Sequence, residues 1–224
     1  MRSNTLTIIA LLAATATAGV VPSIKHDPIT KRSEATWDTK GNIKLTFSKE
    51  TVQVGSITPE TIMAAVGPIC HESGQCETNP IELSGTLTKP SRIDTLKIKL
   101  GPDGSYPTWI RNGLVDILAL AAKEVAKCEE VTYTNHCFGT TAMAYCPQKK
   151  SKGINCEVPK FWGINYQAPD AANAAPPNVG VDIAIAETEG NKLCEDVMGG
   201  LGAVAGVVNA YAGGAFTLLA FACV

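Results

Sequence analysis

The chain has 224 residues, which is enough for one or two ordinary domains and too few for a large multidomain enzyme. Apolar residues make up 45% of the chain, so a sizeable core can form and global disorder is excluded. The formal net charge is −2 and only 18% of the residues are charged, which excludes a strongly basic nucleic-acid-binding protein.

The first 18 residues have the pattern of a secretory signal peptide. Met1-Arg2 supply a positive start, and the apolar stretch Leu6 to Ala14 follows. This stretch is shorter than the roughly 20 residues that a membrane-spanning helix needs. Ala16-Thr17-Ala18 then gives the small-x-small pattern that signal peptidase accepts. We therefore predict secretion, with cleavage after Ala18.

The next segment, Gly19 to Arg32, is predicted to be a pro-segment. It contains two prolines, shows no periodicity and ends in the dibasic pair Lys31-Arg32. A dibasic pair in an extended stretch suits a kexin-type protease, whose acidic subsites pair with both cations. Cleavage there leaves a mature chain, Ser33 to Val224, of 192 residues. Because four cations and one acid are removed, the formal net charge changes from −2 to −5.

The first part of the mature chain has the patterns of strands and one short helix. Alternation from Ile43 through Val54 predicts strands, and another is predicted from Ile81 to Leu87. Between them, Thr58-Pro59-Glu60 supplies an N-cap, a first-turn proline and a first-turn acid. A helix over Pro59 to Val66, ended by Gly67-Pro68, is therefore expected.

Two strand–helix–strand units are predicted after residue 93. In the first, a strand around Leu96 to Leu100 is followed by a turn at Gly101-Pro102-Asp103-Gly104. An apolar stripe at three- and four-residue steps then predicts a helix over Pro107 to Lys127, and Glu130 to Thr134 is a strand.

The second unit follows the same order. It has a strand over Val179 to Ile185, a turn over Glu187 to Gly190, a helix over Leu193 to Tyr211 and a strand over Phe216 to Cys223. Glycines in a helix cost about 1 kcal/mol each relative to alanine, so their presence predicts tight packing against a neighbour. The glycines concerned are Gly199, Gly200, Gly202 and Gly206.

Together these elements predict an α+β fold: an antiparallel or mixed sheet with two helices packed on one face, stabilised by disulfides. One domain over residues 33–224 is expected, with a strand-rich part (33–90) and a sandwich (91–224) as the alternative. The Ala/Pro-rich residues 167–178 are interpreted as an exposed linker. The lysine cluster Lys149-Lys150-Ser151-Lys152 is interpreted as a solvated loop, with a contact to an anionic surface or a second protease site as the alternatives.

All eight cysteines lie in the mature chain, where the secretory route is oxidising, so four disulfides are expected. Sequence cannot choose among 105 connectivities, although Cys70 and Cys76 enclose a loop short enough for a local bridge. No Cys-x-x-Cys pair occurs, which disfavours zinc-ribbon and thioredoxin-type chemistry. The cysteines are Cys70, Cys76, Cys128, Cys137, Cys146, Cys156, Cys194 and Cys223.

No catalytic residue, metal ligand or cofactor is predicted. Cys70-His71 and His136-Cys137 suggest a nucleophile and base, but a bridged sulfur cannot attack. Glu129-Glu130 is a poor acid pair because neighbouring strand residues point to opposite faces, and Glu187 and Glu189 are assigned to a solvated turn. The candidates for an aromatic binding platform are Trp109, Trp162 and Tyr166, with Trp109 assigned to the start of a helix.

The charge-free segment from Val197 to Val224 leaves three alternatives open. It is a buried helix and strand of the core, a membrane-active hairpin in which Gly202-x-x-x-Gly206 allows close helix approach, or a signal for a lipid anchor. The core interpretation is preferred because an anchor signal needs a polar spacer and its removal would take Cys223 with it.

The layout of signal, pro-segment ending in Lys31-Arg32 and cysteine-rich domain resembles that of secreted fungal proproteins. These include host-directed effectors, some of them virulence factors, and killer toxins. Some killer toxins fold as an α/β sandwich with two helices on an antiparallel sheet, and the two strand–helix–strand units look similar to that arrangement. The resemblance implies a secreted, non-enzymatic protein that binds a protein or membrane target outside the producing cell. The alternatives are a small secreted hydrolase, of ribonuclease or glycosidase type, and a cell-surface or membrane-active protein.

Overall fold

The structure, a computed structural model, describes residues 33–134, 150–168, 175–184, 188–190, 193–198 and 200–224. These described residues form eleven β-strands in two sheets and four α-helices, which confirms the predicted α+β class. Three disulfide bonds also lie within this part of the chain.

The larger sheet takes strands from the whole described chain. They are β1 (Ser33–Thr36), β2 (Ile43–Phe47), β4 (Ile81–Lys89), β5 (Arg92–Ser105), β8 (Phe161–Tyr166), β9 (Asn178–Ala184) and β11 (Leu218–Cys223). Their order across the sheet is β1-β11-β2-β8-β9-β5-β4. The sheet is mixed because β11 runs parallel to β2, whereas the other neighbouring pairs are antiparallel. The strands before and after residue 90 therefore share one sheet.

The smaller sheet carries one edge strand of only three residues. Its strands are β3 (Glu50–Gly55), β6 (Lys127–Thr134), β7 (Lys150–Pro159) and β10 (Thr188–Gly190). Their order is β10-β3-β7-β6, and each neighbouring pair is antiparallel. Val52, Val54 and Val158 are fully buried, so one face of this sheet contributes to the core.

The helices are α1 (Pro59–Val66), α2 (Arg111–Val125), α3 (Leu193–Met198) and α4 (Gly202–Ala210). Helix α1 begins as predicted, because the Thr58 Oγ1 accepts a hydrogen bond of 3.3 Å from the Thr61 N–H. Backbone and side-chain hydrogen bonds in this first turn lower the pKa of Glu60, which suits an acid at a helix N-terminus.

Helix α2 packs one face against several other elements. Its apolar stripe is fully buried, as the periodicity predicted, and includes Leu114, Ile117 and Leu118. The helix packs against α1, α4 and strands β8 and β9. A 3-10 turn, Thr108–Ile110, precedes it and replaces the first turn of the predicted helix. Strands β5 and β6, which flank α2, belong to different sheets, so the first strand–helix–strand unit joins the two layers.

The predicted turn at Gly101-Pro102-Asp103-Gly104 is wrong, because β5 runs straight through it. Strand β9 pairs with this part of β5 from Lys99 to Ser105 and keeps it extended. Pairing with β4 ends at Leu100, so Pro102 lies where β5 has a strand neighbour on one side only. A residue without an N–H is tolerated at such a position.

The predicted helix over Leu193 to Tyr211 is divided into α3 and α4. The glycines were expected to pack tightly, and this is wrong for those that the structure describes. A Cβ built on Gly200, Gly202 or Gly206 would meet nothing within 4 Å. The buried side of α4 consists instead of Val204, Ala205 and Val208, which leaves its glycines on the outer side.

Candidate functional site

The predicted processing residues Ala18, Lys31 and Arg32 lie outside the described residues. The first described residue is Ser33. Ser33 is the first residue of β1 and is opposite Cys223 in β11.

The disulfides that the structure describes join Cys70 to Cys76, Cys128 to Cys156 and Cys194 to Cys223. The first is the predicted local bridge. The second joins residues directly opposite each other on β6 and β7, and the third ties α3 to β11. Cys137 and Cys146 lie outside the described residues, so the fourth expected bridge stays a prediction.

Of the Cys–His candidates, Cys70 and His71 have other partners, and the second pair lies outside the described residues. Cys70 is bridged, and the His71 Nε2 lies 2.7 Å from the Glu77 Oε1, with both side chains about half exposed. His136 and Cys137 lie outside the described residues.

The predicted acidic and basic candidates lie mainly in strands. Glu129 forms an ion pair with Lys127 at 2.9 Å, and Glu130 forms one with Lys152 at 2.7 Å. Lys150 begins β7, so the loop interpretation of the lysine cluster is wrong from that residue onward, because β7 pairs with β6 there. Glu189 lies in β10 rather than in the predicted turn, paired with Thr51. Lys149 and Glu187 lie outside the described residues.

The aromatic candidates separate into one core residue and one surface group. Trp162 is fully buried, and its indole N–H donates to the Pro159 carbonyl at 2.7 Å, so it is not part of a binding platform. Trp109, in the 3-10 turn before α2, has 73% of its surface exposed. Its ring contacts Tyr166 edge-on, with 5.8 Å between ring centroids. Two of the three candidates, Trp109 and Tyr166, are therefore brought together.

Two further rings extend this group. Phe216, nearly buried, lies 6.1 Å from Tyr166 and 5.9 Å from Tyr211, centroid to centroid. We call Trp109, Tyr166 and Tyr211, with Phe216 beneath them, the aromatic surface. The Tyr211 hydroxyl donates to the Asp116 Oδ2 at 2.6 Å. Burial and this hydrogen bond raise the pKa of Tyr211 to about 12, so the phenol is neutral at physiological pH.

Residues before and after Trp109 in the sequence donate hydrogen bonds to the Cys70–Cys76 loop. On one side, the Thr108 Oγ1 donates to the Glu72 carbonyl at 2.6 Å. On the other, the Arg111 Nε donates to the Cys70 carbonyl at 2.6 Å. Ile110, next to Trp109, is fully buried. The exposed indole is therefore presented by a fixed turn.

A second brace connects the same loop to the end of β5. The Tyr106 hydroxyl donates to the His71 carbonyl at 3.0 Å, and burial raises the pKa of this phenol. The Cys76 N–H donates to the Gly104 carbonyl at 3.1 Å, and the Tyr106 N–H donates to the Gly74 carbonyl at 2.9 Å. A Cβ on Gly104 would lie 2.7 Å from the Cys76 Sγ, so the disulfide can pack here only against glycine.

Phe216 lies in an uncharged segment of the sequence. No charged residue occurs from Val197 to Val224. Just before Phe216, Ala212, Gly213 and Gly214 adopt positive φ values of 49°, 66° and 88° and are exposed. No helix in the described part of the chain is long and apolar enough to cross a membrane. Among the same residues, no group of three or more His, Cys, Asp or Glu side chains is placed to hold a metal ion.

Comparison of the chain with protein-family models, curated proteins and solved structures finds no significant match. Sequence reasoning named Trp109 and Tyr166 but missed Tyr211 and Phe216. These rings come from three separate segments of the chain: Tyr211 and Phe216 are five residues apart, but no local spacing connects them to Trp109 or Tyr166.

Proposed function

We propose that this chain is a secreted, disulfide-stabilised protein of effector or toxin type that binds a target outside the producing cell through the aromatic surface. The observation that carries the proposal is the 73% exposure of Trp109 on a turn held by hydrogen bonds on both sides. Large exposed aromatic side chains on soluble proteins commonly mark interaction sites.

The energetics of such a contact support a binding role. An aromatic side chain buries roughly 150–250 Å² when covered, so covering the exposed part of the indole is worth about 3 kcal/mol at 25 cal/mol/Å². Trp, Tyr and Arg are the residues that most often dominate binding energy. Because the Trp109 turn is already fixed, little conformational entropy is lost when a partner binds.

The route out of the cell is supported by the disulfides and by the N-terminal sequence. Disulfides persist in oxidising compartments and are rare in the cytosol. The signal-like segment ending at Ala18 and the dibasic pair Lys31-Arg32 precede the first described strand. The fungal origin and the toxin or effector role rest on the resemblance in layout.

The proposal is tested by Trp109→Ala, with Trp37→Ala as the matched control. Trp37 is also a surface tryptophan, 48% exposed, for which the structure describes no ring contact. The labelled secreted protein is applied to fungal and plant cells, and its binding and growth inhibition are measured. If the indole contributes about 2–3 kcal/mol, Trp109→Ala weakens binding roughly 30- to 150-fold.

Both variants are expected to keep the circular dichroism spectrum and melting temperature of the parent. Trp37→Ala is expected to bind as the parent does. Unchanged cell binding by folded Trp109→Ala would contradict the proposed role of the aromatic surface.

A further inference from the structure

The smaller sheet carries a polar cleft that the aromatic surface does not include. Its volume is about 140 Å³. The lining side chains come from three adjacent strands and include two carboxylates, one ammonium group and two amides: Gln53 from β3, Asn155 and Glu157 from β7, and Lys127, Glu129 and Val131 from β6.

Strand register explains why these side chains share one face. Glu157 is opposite Gln53 on one side and opposite Lys127 on the other, so the three form a row across the sheet. Asn155 is opposite Glu129 in the next row. Side chains two residues apart along a strand point to the same face, which places both rows together.

The end of β4 forms a wall beside these rows. The Thr88 N–H donates to the Asn155 Oδ1 at 3.0 Å, and the Asn155 Nδ2 donates to the Thr88 carbonyl at 2.7 Å. Gly153 lets β4 approach, because a Cβ there would clash with the Thr88 side chain. The concavity is therefore fixed by backbone and amide contacts.

Glu157 is an unusual residue for a sheet face. Only 9% of its surface is exposed, and its Oε1 accepts a hydrogen bond of 2.5 Å from the Thr51 hydroxyl. Glutamate is almost never buried without polar partners, because desolvating a carboxylate is costly. Beside it, Lys127 forms its ion pair with Glu129, and the nearby carboxylates raise the pKa of Lys127.

We propose that this cleft binds a neutral, hydroxyl-rich ligand of the size of one sugar residue. Each hydroxyl can donate to a carboxylate and accept from the ammonium group or an amide, and the cleft offers all three close together. An anion would meet Glu129 and Glu157, and a cation would compete with Lys127, which already pairs with Glu129. An apolar ligand would find Val131 as its one apolar contact among the described lining residues.

The volume sets the size of the ligand. Pockets for drug-sized molecules enclose roughly 300–1,000 Å³, and this cleft is well below that range. One ring with its hydroxyls is therefore the largest unit that the cleft encloses, and such a ligand is expected to bind in the millimolar range. This second site is independent of the function proposed for the aromatic surface.

The test uses ¹⁵N-labelled secreted protein titrated with glucose, mannose, galactose and N-acetylglucosamine. At least one sugar is expected to shift the backbone amide signals of Gln53, Glu129 and Glu157 in a saturable way. The anion glucuronate and the cation spermidine are expected to produce no saturable shift at these amides.

Gln53→Ala is the diagnostic variant, because the structure describes no hydrogen bond of the Gln53 side chain and its removal leaves no described partner unsatisfied. It is expected to weaken sugar binding about fivefold, as for one lost hydrogen bond. Gln167→Ala, at an exposed glutamine outside the cleft, is the matched control and is expected to bind as the parent does.

Two results would overturn the proposal. One is that no neutral sugar shifts the cleft amides at 100 mM, roughly two orders of magnitude above a 1 mM dissociation constant. The other is that glucuronate or spermidine binds there in preference to the neutral sugars. Cell binding through the aromatic surface would be untouched by either result.

Discussion

Gly113 is one residue on which the packing of the aromatic surface depends. It lies inside α2, where glycine is usually unfavourable. A Cβ at this position would lie 2.5 Å from the Phe216 Cζ, so the absence of a side chain lets the Phe216 ring pack against the helix. Because Phe216 in turn contacts Tyr166 and Tyr211, this glycine helps to set the positions of the exposed rings.

Two substitutions of the same kind are expected to have opposite effects on stability. Gly113→Ala gains about 1 kcal/mol of helix propensity but forces Phe216 to move, an overpacking cost of roughly 1–3 kcal/mol, so the variant is net destabilised by up to about 2 kcal/mol. Gly206→Ala, in α4 where the Cβ meets open space, is stabilised by up to about 1 kcal/mol. Denaturant unfolding measures both free energies, and shifts of the same sign would show that the Phe216 contact does not decide the result.

At this scale, local signals were predictable and long-range ones were not. Thr58-Pro59-Glu60 correctly predicted the start of a helix, because capping involves residues that are neighbours in the sequence. Gly113 and Gly206 look alike in the sequence, because each lies inside a segment whose apolar residues have helical spacing. One makes room for a ring about 100 residues away and the other faces solvent, which no local pattern reveals.

At the scale of elements, strand neighbours overrode turn propensity. Gly101-Pro102-Asp103-Gly104 has the composition of a turn, but pairing with β9 keeps the segment in β5. The extension brings the end of β5 to the Cys70–Cys76 loop, where the backbones of Gln75 and Ser105 pair as an isolated antiparallel β-bridge. The turn that carries Trp109 follows directly, so the strand that sequence analysis shortened is the one that positions the candidate site.

The Cys70–Cys76 bridge is therefore expected to order the Trp109 turn more than it stabilises the fold. By loop-closure entropy, removing this bridge, which joins residues six apart, lowers the free energy of unfolding by about 2 kcal/mol. Removing the Cys128–Cys156 bridge, which joins residues 28 apart, lowers it by about 3.5 kcal/mol. Amide hydrogen exchange of the double variant C70S/C76S should speed up at Tyr106 and at position 76, because the N–H groups of these two positions donate hydrogen bonds between the loop and the end of β5 in the parent.

The double variant C128S/C156S serves as the control for that measurement. It is expected to lose more global stability and yet to protect the Cys76 and Tyr106 amides as the parent does under native conditions. If the two double variants exchange alike at these amides, the loop is not what holds the turn.

At the scale of the whole molecule, the α+β class was predictable and the division into two sheets was not. Alternating and helical patterns identified most strands and helix α2, because these patterns report one buried face. A strand–helix–strand order suggests two strands of one sheet. Here β5 and β6 join different sheets, and the choice depends on which partners β7 and β9 offer in space.

The candidate sites divide in the same way. Trp109 and Tyr166 could be named from residue type alone, but the same reasoning also named Trp162, which is fully buried. The cleft could not be named in this way, since Glu157 meets Lys127 and Gln53 only through the register of β3, β7 and β6. Sequence analysis considered Glu129 with its neighbour Glu130, whereas the structure places it in the cleft with Glu157.

The account as a whole depends on a chain that is exported, trimmed and crosslinked before it meets its target. Intact-mass analysis of the protein recovered from culture medium, with and without reduction, tests this most directly. The expected species begins at Ser33, ends at Val224 and gains eight hydrogens on reduction, two for each of the four expected bridges. A protein that stays in the cell, retains residues 1–32 or shows free thiols before reduction would contradict it.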